Sequence, residues 1–237
     1  SFSDYNPALS GLSAHLAFAS KRTGSAQIWI KHQDQSLAQI TQFERASYIY
    51  GIAWSPDESR LLVKRNDSIH IINVGSRESV VLPVDASGKV AWQWVSDQQL
   101  AYVDQASQSL FTFDIASQHT ELLRANVGLA QYVGQQWFIS EPAGSSVIRF
   151  NTDFSDAMEM TDQLNSRHWL VSGDTLYLVN MESDKPAALV KLAPDGTEQV
   201  VVSGRFNPLS VRATHQGALV FHQMSQDEAN IYQLHLN

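Results

Sequence analysis

Six side chains stand at the starts of short apolar segments along the 237-residue chain: Tyr5, Tyr50, Lys89, Arg167, His168 and Arg212. The segments that follow are PALS at 7–10, IAWS at 52–55, WQWV at 92–95, HWLV at 168–171 and VRAT at 211–214. If each segment is the innermost strand of a sheet packed around a common axis, its leading side chain points toward that axis. Aromatic and cationic groups converging on one concavity suit a peptide carboxylate or another acidic ligand. The assignment depends on register, because a slip of one residue turns alternate side chains away. The plainer reading is that these are ordinary strand-start residues.

Catalytic signatures are missing. The sequence has no G-x-S-x-G elbow, no H-E-x-x-H pair and no glycine-rich phosphate loop. The eight histidines are His15, His32, His70, His119, His168, His215, His222 and His235, and none lies two or four residues from another. Most fall in turns or on polar strand faces, where solvation is the expectation. No catalytic residue, metal ligand or cofactor is therefore assigned, and a metal would have to be gathered from different repeats. Asp104, Glu141, Glu182, Asp184, Asp227 and Glu228 fall between the second and third strands of their repeats. They read as a solvated rim or as an acidic face for a basic partner or cation. Asn66-Asp67-Ser68 matches a glycosylation triplet, but in a tight connection it reads first as turn chemistry.

The elements that would position these residues follow a repeat. GIAWSPDESRLLVKRNDSIHIINV, residues 51–74, contains a strand, a Ser-Pro-Asp turn and two further strands. Degraded copies run along the whole chain. Second strands begin at Leu16, Leu61, Leu100, Trp137, Leu176 and Leu219, a spacing of about 41 residues that matches four-stranded propeller blades. Third strands follow at QIWIK, SIHII, SLFTF, SVIRF, ALVKL and NIYQL. With no helical pattern between the units, the fold expected is an all-β, six-bladed propeller forming one domain over residues 1–237. Its blades fall at about 5–42, 48–83, 89–124, 127–162, 166–203 and 207–237. The column Leu9, Trp54, Trp94, Tyr132, Leu170, Ala213 is expected to pack between blades.

The last repeat ends after its third strand, so the sixth blade is expected to lack its outer strand. The chain begins with Ser1, and an upstream segment is the expected source of that strand. Without it, the edge at 231–236 invites weak pairing with a second copy.

Composition narrows the partners. The net charge is −8 with no basic run, which argues against direct binding of nucleic acid or of anionic membranes. Absence of cysteine excludes disulfides and thiolate chemistry, and no apolar run reaches the length that crosses a bilayer. Hydrophobic residues make up 43% of the chain, enough to fill a core.

NPALSGLSAHLAFASKRTGSAQIWI and IAWSPDESRLLV resemble the repeats of TolB-type propellers, in which Ser-Pro-Asp-Gly precedes an apolar strand. The resemblance is strongest over residues 5–83. It departs from the pattern at Ser10-Gly11-Leu12 and at Glu58, where glycine is usual. It implies a non-catalytic propeller that binds a protein, peptide or small ligand outside the cytoplasm, in the periplasm or an equivalent compartment. It is also similar to the extracytoplasmic propeller domains of ToxR- and CadC-like membrane-bound transcription regulators, which implies a sensing role with a membrane anchor upstream. The alternative is a catalytic propeller of lyase or glycosidase type, or the gating propeller of a prolyl-oligopeptidase-like enzyme; fold does not separate these.

Overall fold

The computed structural model describes residues 3–44, 47–164, 168–180, 186–193, 195–204, 206, 210–213, 219–224 and 229–234. Its regular structure is strand throughout, apart from a single 3-10 position at Ser210. Each sheet is an antiparallel meander in sequence order. The chain divides into two compact units, residues 1–87 with 205–214 and 218–237, and residues 88–204 with 215–217.

In the first unit, one sheet contains β1 (Asp4–Leu9), β2 (Leu16–Thr23), β3 (Ser25–Lys31) and β4 (Leu37–Gln39). A second contains β5 (Ile49–Trp54), β6 (Arg60–Arg65), β7 (Ser68–Asn73) and β8 (Ser79–Val81). Alternation drives both: Ala17, Ala19, Ile28 and Ile30 from one sheet bury against Ile49, Ile52, Leu61 and Val63 of the other. Trp54 fills the same seam while remaining partly exposed, and its Nε1–H donates to the Ala8 carbonyl at 2.9 Å. The Ser-Pro-Asp turn is closed by Asp57, which accepts from the Ser55 hydroxyl at 2.6 Å and the Ser59 N–H at 3.0 Å. Glu58, standing where glycine is usual, adopts φ 57°. Its carboxylate accepts from the Leu12 and Ser13 N–H groups, tying the two sheets' turns together.

The second unit has three such sheets. They are β9 (Lys89–Trp94) to β12 (Thr120–Ala125) through β10 (Gln99–Asp104) and β11 (Ser109–Asp114); β13 (Leu129–Val133) to β16 (Met158–Thr161) through β14 (Gln136–Ser140) and β15 (Val147–Asn151); and β17 (Trp169–Ser172) to β20 (Glu198–Gly204) through β18 (Thr175–Asn180) and β19 (Ala187–Leu192). Glutamines link their first strands. Gln93 donates through Nε2 to the Ala130 carbonyl at 3.0 Å and accepts the Tyr132 N–H at 2.7 Å. Gln131 accepts the Val171 N–H at 2.7 Å. Trp169 completes the series, its indole donating to Ser140 Oγ at 3.0 Å.

Five complete four-stranded blades are present, not the six units of the expected count. The remaining sheet, in the first unit, has only β21 (Arg212–Ala213), β22 (Leu219–Met224) and β23 (Ala229–Leu234). Among the described residues nothing continues the ladder beyond β23.

Candidate functional site: an aromatic and cationic cluster on first strands

The ladder of β1 is broken by a bulge. Tyr5 pairs with Ala19 and Ala8 with Ala17, so three steps along β1 face two along β2. Asn6 and Pro7 occupy the extra turn: Asn6 takes φ 49°, and proline, with no N–H to give, is tolerated where the ladder is interrupted. Asn6 Nδ2–H donates to the Ile49 carbonyl, fixing β1 to β5. A second bulge interrupts β5, where Ile49 pairs with Arg65 and Gly51 with Lys64. Tyr50 is the residue left over, and its side chain is 54% exposed. Just before β5, Tyr48 is held by paired bonds with Asn66, the Tyr48 N–H donating to Asn66 Oδ1 and the Tyr48 carbonyl accepting the Asn66 N–H, both at 3.1 Å.

These bulges line up four rings from solvent inward. Tyr50 lies 4.8 Å from Tyr48, Tyr48 stacks on Tyr5 at 5.3 Å, and Tyr5 meets His222 edge-on at 6.4 Å. Exposure falls along the series from 54% at Tyr50 and 44% at Tyr48 to 5% at Tyr5 and 4% at His222. His222 is anchored through its N–H to Ser210 Oγ at 3.2 Å. Burial holds its imidazole below the usual value, and the neighbouring charge of Arg212 adds to that. Arg212 donates to the Val211 carbonyl at 2.9 Å, and desolvation lowers its own pKa. Burial raises the Tyr5 phenol; the Ile49 backbone opposes this and the Tyr48 phenol adds to it.

Two polar atoms in this cluster are buried without a hydrogen-bond partner, Tyr5 Oη and His222 Nδ1. The Ile49 backbone comes close enough to Tyr5 to act on its charge, but hydrogen-bond geometry is not met. Trp29 Nε1, Trp92 Nε1 and Ser172 Oγ are likewise unpartnered among the described residues. Tyr5 and His222 are the two whose rings touch each other beside a guanidinium.

Three of the six sequence-assigned residues, Tyr5, Tyr50 and Arg212, therefore belong to one cluster in the first unit. Lys89 and His168 belong to the second unit. The Lys89 ammonium stands 5.9 Å from the Tyr102 ring centroid. His168 precedes β17, where its carbonyl accepts the Val179 N–H at 2.9 Å and desolvation lowers the imidazole pKa. Arg167 lies outside the described residues. Tyr48 and His222 escaped the sequence reading. The two-residue spacing of Tyr48 and Tyr50 was the available signal for the first. His222 was expected to be solvated and is instead buried, as is His70, which is held between Ser68 and Ser79 hydroxyls at 3.1 and 3.2 Å.

Elsewhere the described residues offer less. No three His, Asp or Glu side chains among them group closely enough to hold a metal ion. Asp104 accepts from the N–H groups of its own turn, Ala106 and Ser107, and Glu141 is exposed; Glu182, Asp184, Asp227 and Glu228 lie outside the described residues. In the second unit a shallow groove of about 430 Å³ is lined by Arg124, Glu141, Ser146 and Phe150. Its one cation, Arg124, already lies 4.5 Å over the Phe150 ring, and no orphaned polar atom faces the groove.

No family model and no curated protein matches the chain. Solved structures do. TolB from Acinetobacter baumannii superposes with a TM-score of 0.71 at 13% identity, over 92% of this chain and 60% of that one. The fold is a β-propeller. An oligogalacturonate lyase from Vibrio parahaemolyticus matches this propeller with a TM-score of 0.61 at 14% identity, covering 92% and 70% of the two chains. A nidogen/laminin complex matches with 0.58 at 12% identity, covering 83% and 78%. At these identities the propeller shares its architecture with proteins that bind others and with a lyase, and the chain spans about three fifths of the TolB polypeptide's length. No helix among the described residues is long and apolar enough to cross a membrane.

Proposed function

We propose that this propeller is a non-catalytic binding domain whose ligand site is the Tyr5, Tyr48, Tyr50, His222 and Arg212 cluster. The observation that carries the reading is the pair of buried, unpartnered polar atoms, Tyr5 Oη and His222 Nδ1, at the inner end of an aromatic series that reaches solvent. An orphaned buried polar group costs stability, about 1–3 kcal/mol each, so two in contact fit a site completed by a ligand. A metal-dependent catalytic alternative calls for a grouping of ligands, and no three His, Asp or Glu side chains among the described residues come together closely enough to form one.

In this proposal residues 1–237 form a single propeller domain. The domain works outside the cytoplasm as the sensing or interaction part of a larger protein, such as a membrane-bound transcription regulator. The likeness to TolB repeats supports that placement. The open edge of β23 is then the surface for weak pairing with a second copy, read out as a concentration-dependent mass.

The test is a screen of peptides and small ligands by thermal shift and NMR, run in parallel on the Tyr48→Ala/Tyr50→Ala double variant. Both side chains are exposed, so the variant keeps the fold. Ligands that bind the parent and fail on the variant support the site. Ligands that bind both equally contradict it.

A further inference from the structure

The chemistry of the cluster is unequal along its length, and that inequality specifies a ligand. At the outer end Tyr48 and Tyr50 offer half-exposed ring surface at an interplanar angle of 60°, suited to a planar apolar group rather than an extended charge. At the inner end the surroundings are dry. Tyr5 Oη–H is a donor in want of an acceptor, His222 Nδ1 is a second unmet polar atom and a donor in the tautomer that carries its proton there, and the Arg212 charge acts on the same ring. A neutral amide would bring donors of its own into a place that already has donors. A cation would meet the guanidinium. An oxyanion accepts from the Tyr5 hydroxyl and from His222 in its Nδ1–H tautomer, pairs with the guanidinium, and in a buried setting such charge-assisted bonds are strong.

We infer that the ligand is an aromatic or otherwise planar carboxylate, its carboxylate received by Tyr5, His222 and Arg212 and its ring by Tyr48 and Tyr50. This rests on the cluster being a ligand site, and it narrows that site to one chemical class.

The experiment uses the chain as it stands, at pH 7.5 and fixed ionic strength. Benzoate, benzamide and acetate are titrated against protein with labelled tyrosine rings, and affinities are read from shift changes. Benzoate is expected to bind at least tenfold more tightly than benzamide, which keeps the ring and loses the charge, and than acetate, which keeps the charge and loses the ring. Tyr5→Phe should weaken benzoate at least tenfold. Arg212→Gln should do the same; because that group is desolvated and its variant could misfold, Tyr48→Ala/Tyr50→Ala serves as the second arm and should bring benzoate down to the acetate level. Equal binding of benzoate and benzamide, or benzoate binding indifferent to Tyr5→Phe, overturns the carboxylate class. If benzoate fails while a screened ligand still depends on Tyr48 and Tyr50, the class falls and the site stands. If no ligand depends on those rings, both fall.

Discussion

The two units differ in how their unmet buried polar atoms are placed: in the second unit Trp92 Nε1 and Ser172 Oγ lie on separate first strands, β9 and β17, whereas in the first unit Tyr5 Oη and His222 Nδ1 belong to two rings in contact. In the second unit, Gln93 and Gln131 each reach across to the next sheet and satisfy backbone groups there, and Trp169 does the same for Ser140. In the first unit, the bulges of β1 and β5 bring Tyr5 and Tyr50 toward Tyr48 and His222, and two buried polar atoms stay unmet. Stitches run through the first unit too, where Asn6 bonds the Ile49 carbonyl and Trp54 the Ala8 carbonyl, and each satisfied bond makes its seam harder to open. What sets the first unit apart is an aromatic cluster with two adjoining polar groups unmet among the described residues, which costs stability.

The largest effect belongs to the second unit's core. Trp137 is 1% exposed and lies against Tyr132 at 4.8 Å and Phe154 at 6.0 Å. Trp137→Ala should cost about 3–5 kcal/mol in denaturant unfolding. It should leave benzoate affinity unchanged under conditions where the domain is folded; a parallel loss of binding would blur the division between the units. Next is Gln93→Ala, which leaves the Ala130 carbonyl and Tyr132 N–H without their partner and should cost about 1–3 kcal/mol, again without touching ligand binding. A stability change near zero would mean that the stitch is decorative.

How far this division could be read in advance depends on what a sequence encodes locally. Strand alternation and turn residues, such as Leu61-Leu62-Val63 after Ser55-Pro56-Asp57, are local, and they placed the strands and the repeat. The bulges are not. They arise where Asn6-Pro7 and Tyr50 meet a partner strand that is fixed only by tertiary pairing, and a bulge alters which side chain faces inward. That is why Tyr5, Tyr50 and Arg212 were reachable from their positions at strand starts, while Tyr48 and His222 were not. His222 looked like a solvated polar residue in LVFHQ, and only its contact with Tyr5 gives it a role. The three-stranded last sheet, by contrast, was legible in the repeat, which stops there after its third strand, although six blades were expected and five complete ones are present.

Smaller effects come from titration. Asp57 is brought from 3.8 to about 2 by the Ser55 hydroxyl first, with Ser59 helping against partial burial. Its folded value is depressed, so the stability it contributes is complete above 3.8 and is lost as pH falls toward about 2. The group is largely solvent-facing, so the effect is modest, and Asp57→Asn should flatten that part of the pH–stability curve. His70 and His222 also have depressed values, chiefly through burial. The unfolded chain takes up their protons as pH falls through 6.5, and stability declines below that point. His222→Gln should remove part of the decline in unfolding experiments between pH 7 and 5. An unchanged slope would place His222 in a wetter setting than its burial indicates.

The most direct measurement pairs stability with binding in a single substitution, Tyr5→Phe. The hydroxyl it removes has no partner among the described residues, so denaturant unfolding should show no loss, or a gain of up to about 1 kcal/mol, while benzoate affinity falls at least tenfold. A variant that loses stability and binds benzoate as well as the parent would contradict the account, because the hydroxyl would then belong to the fold rather than to a ligand.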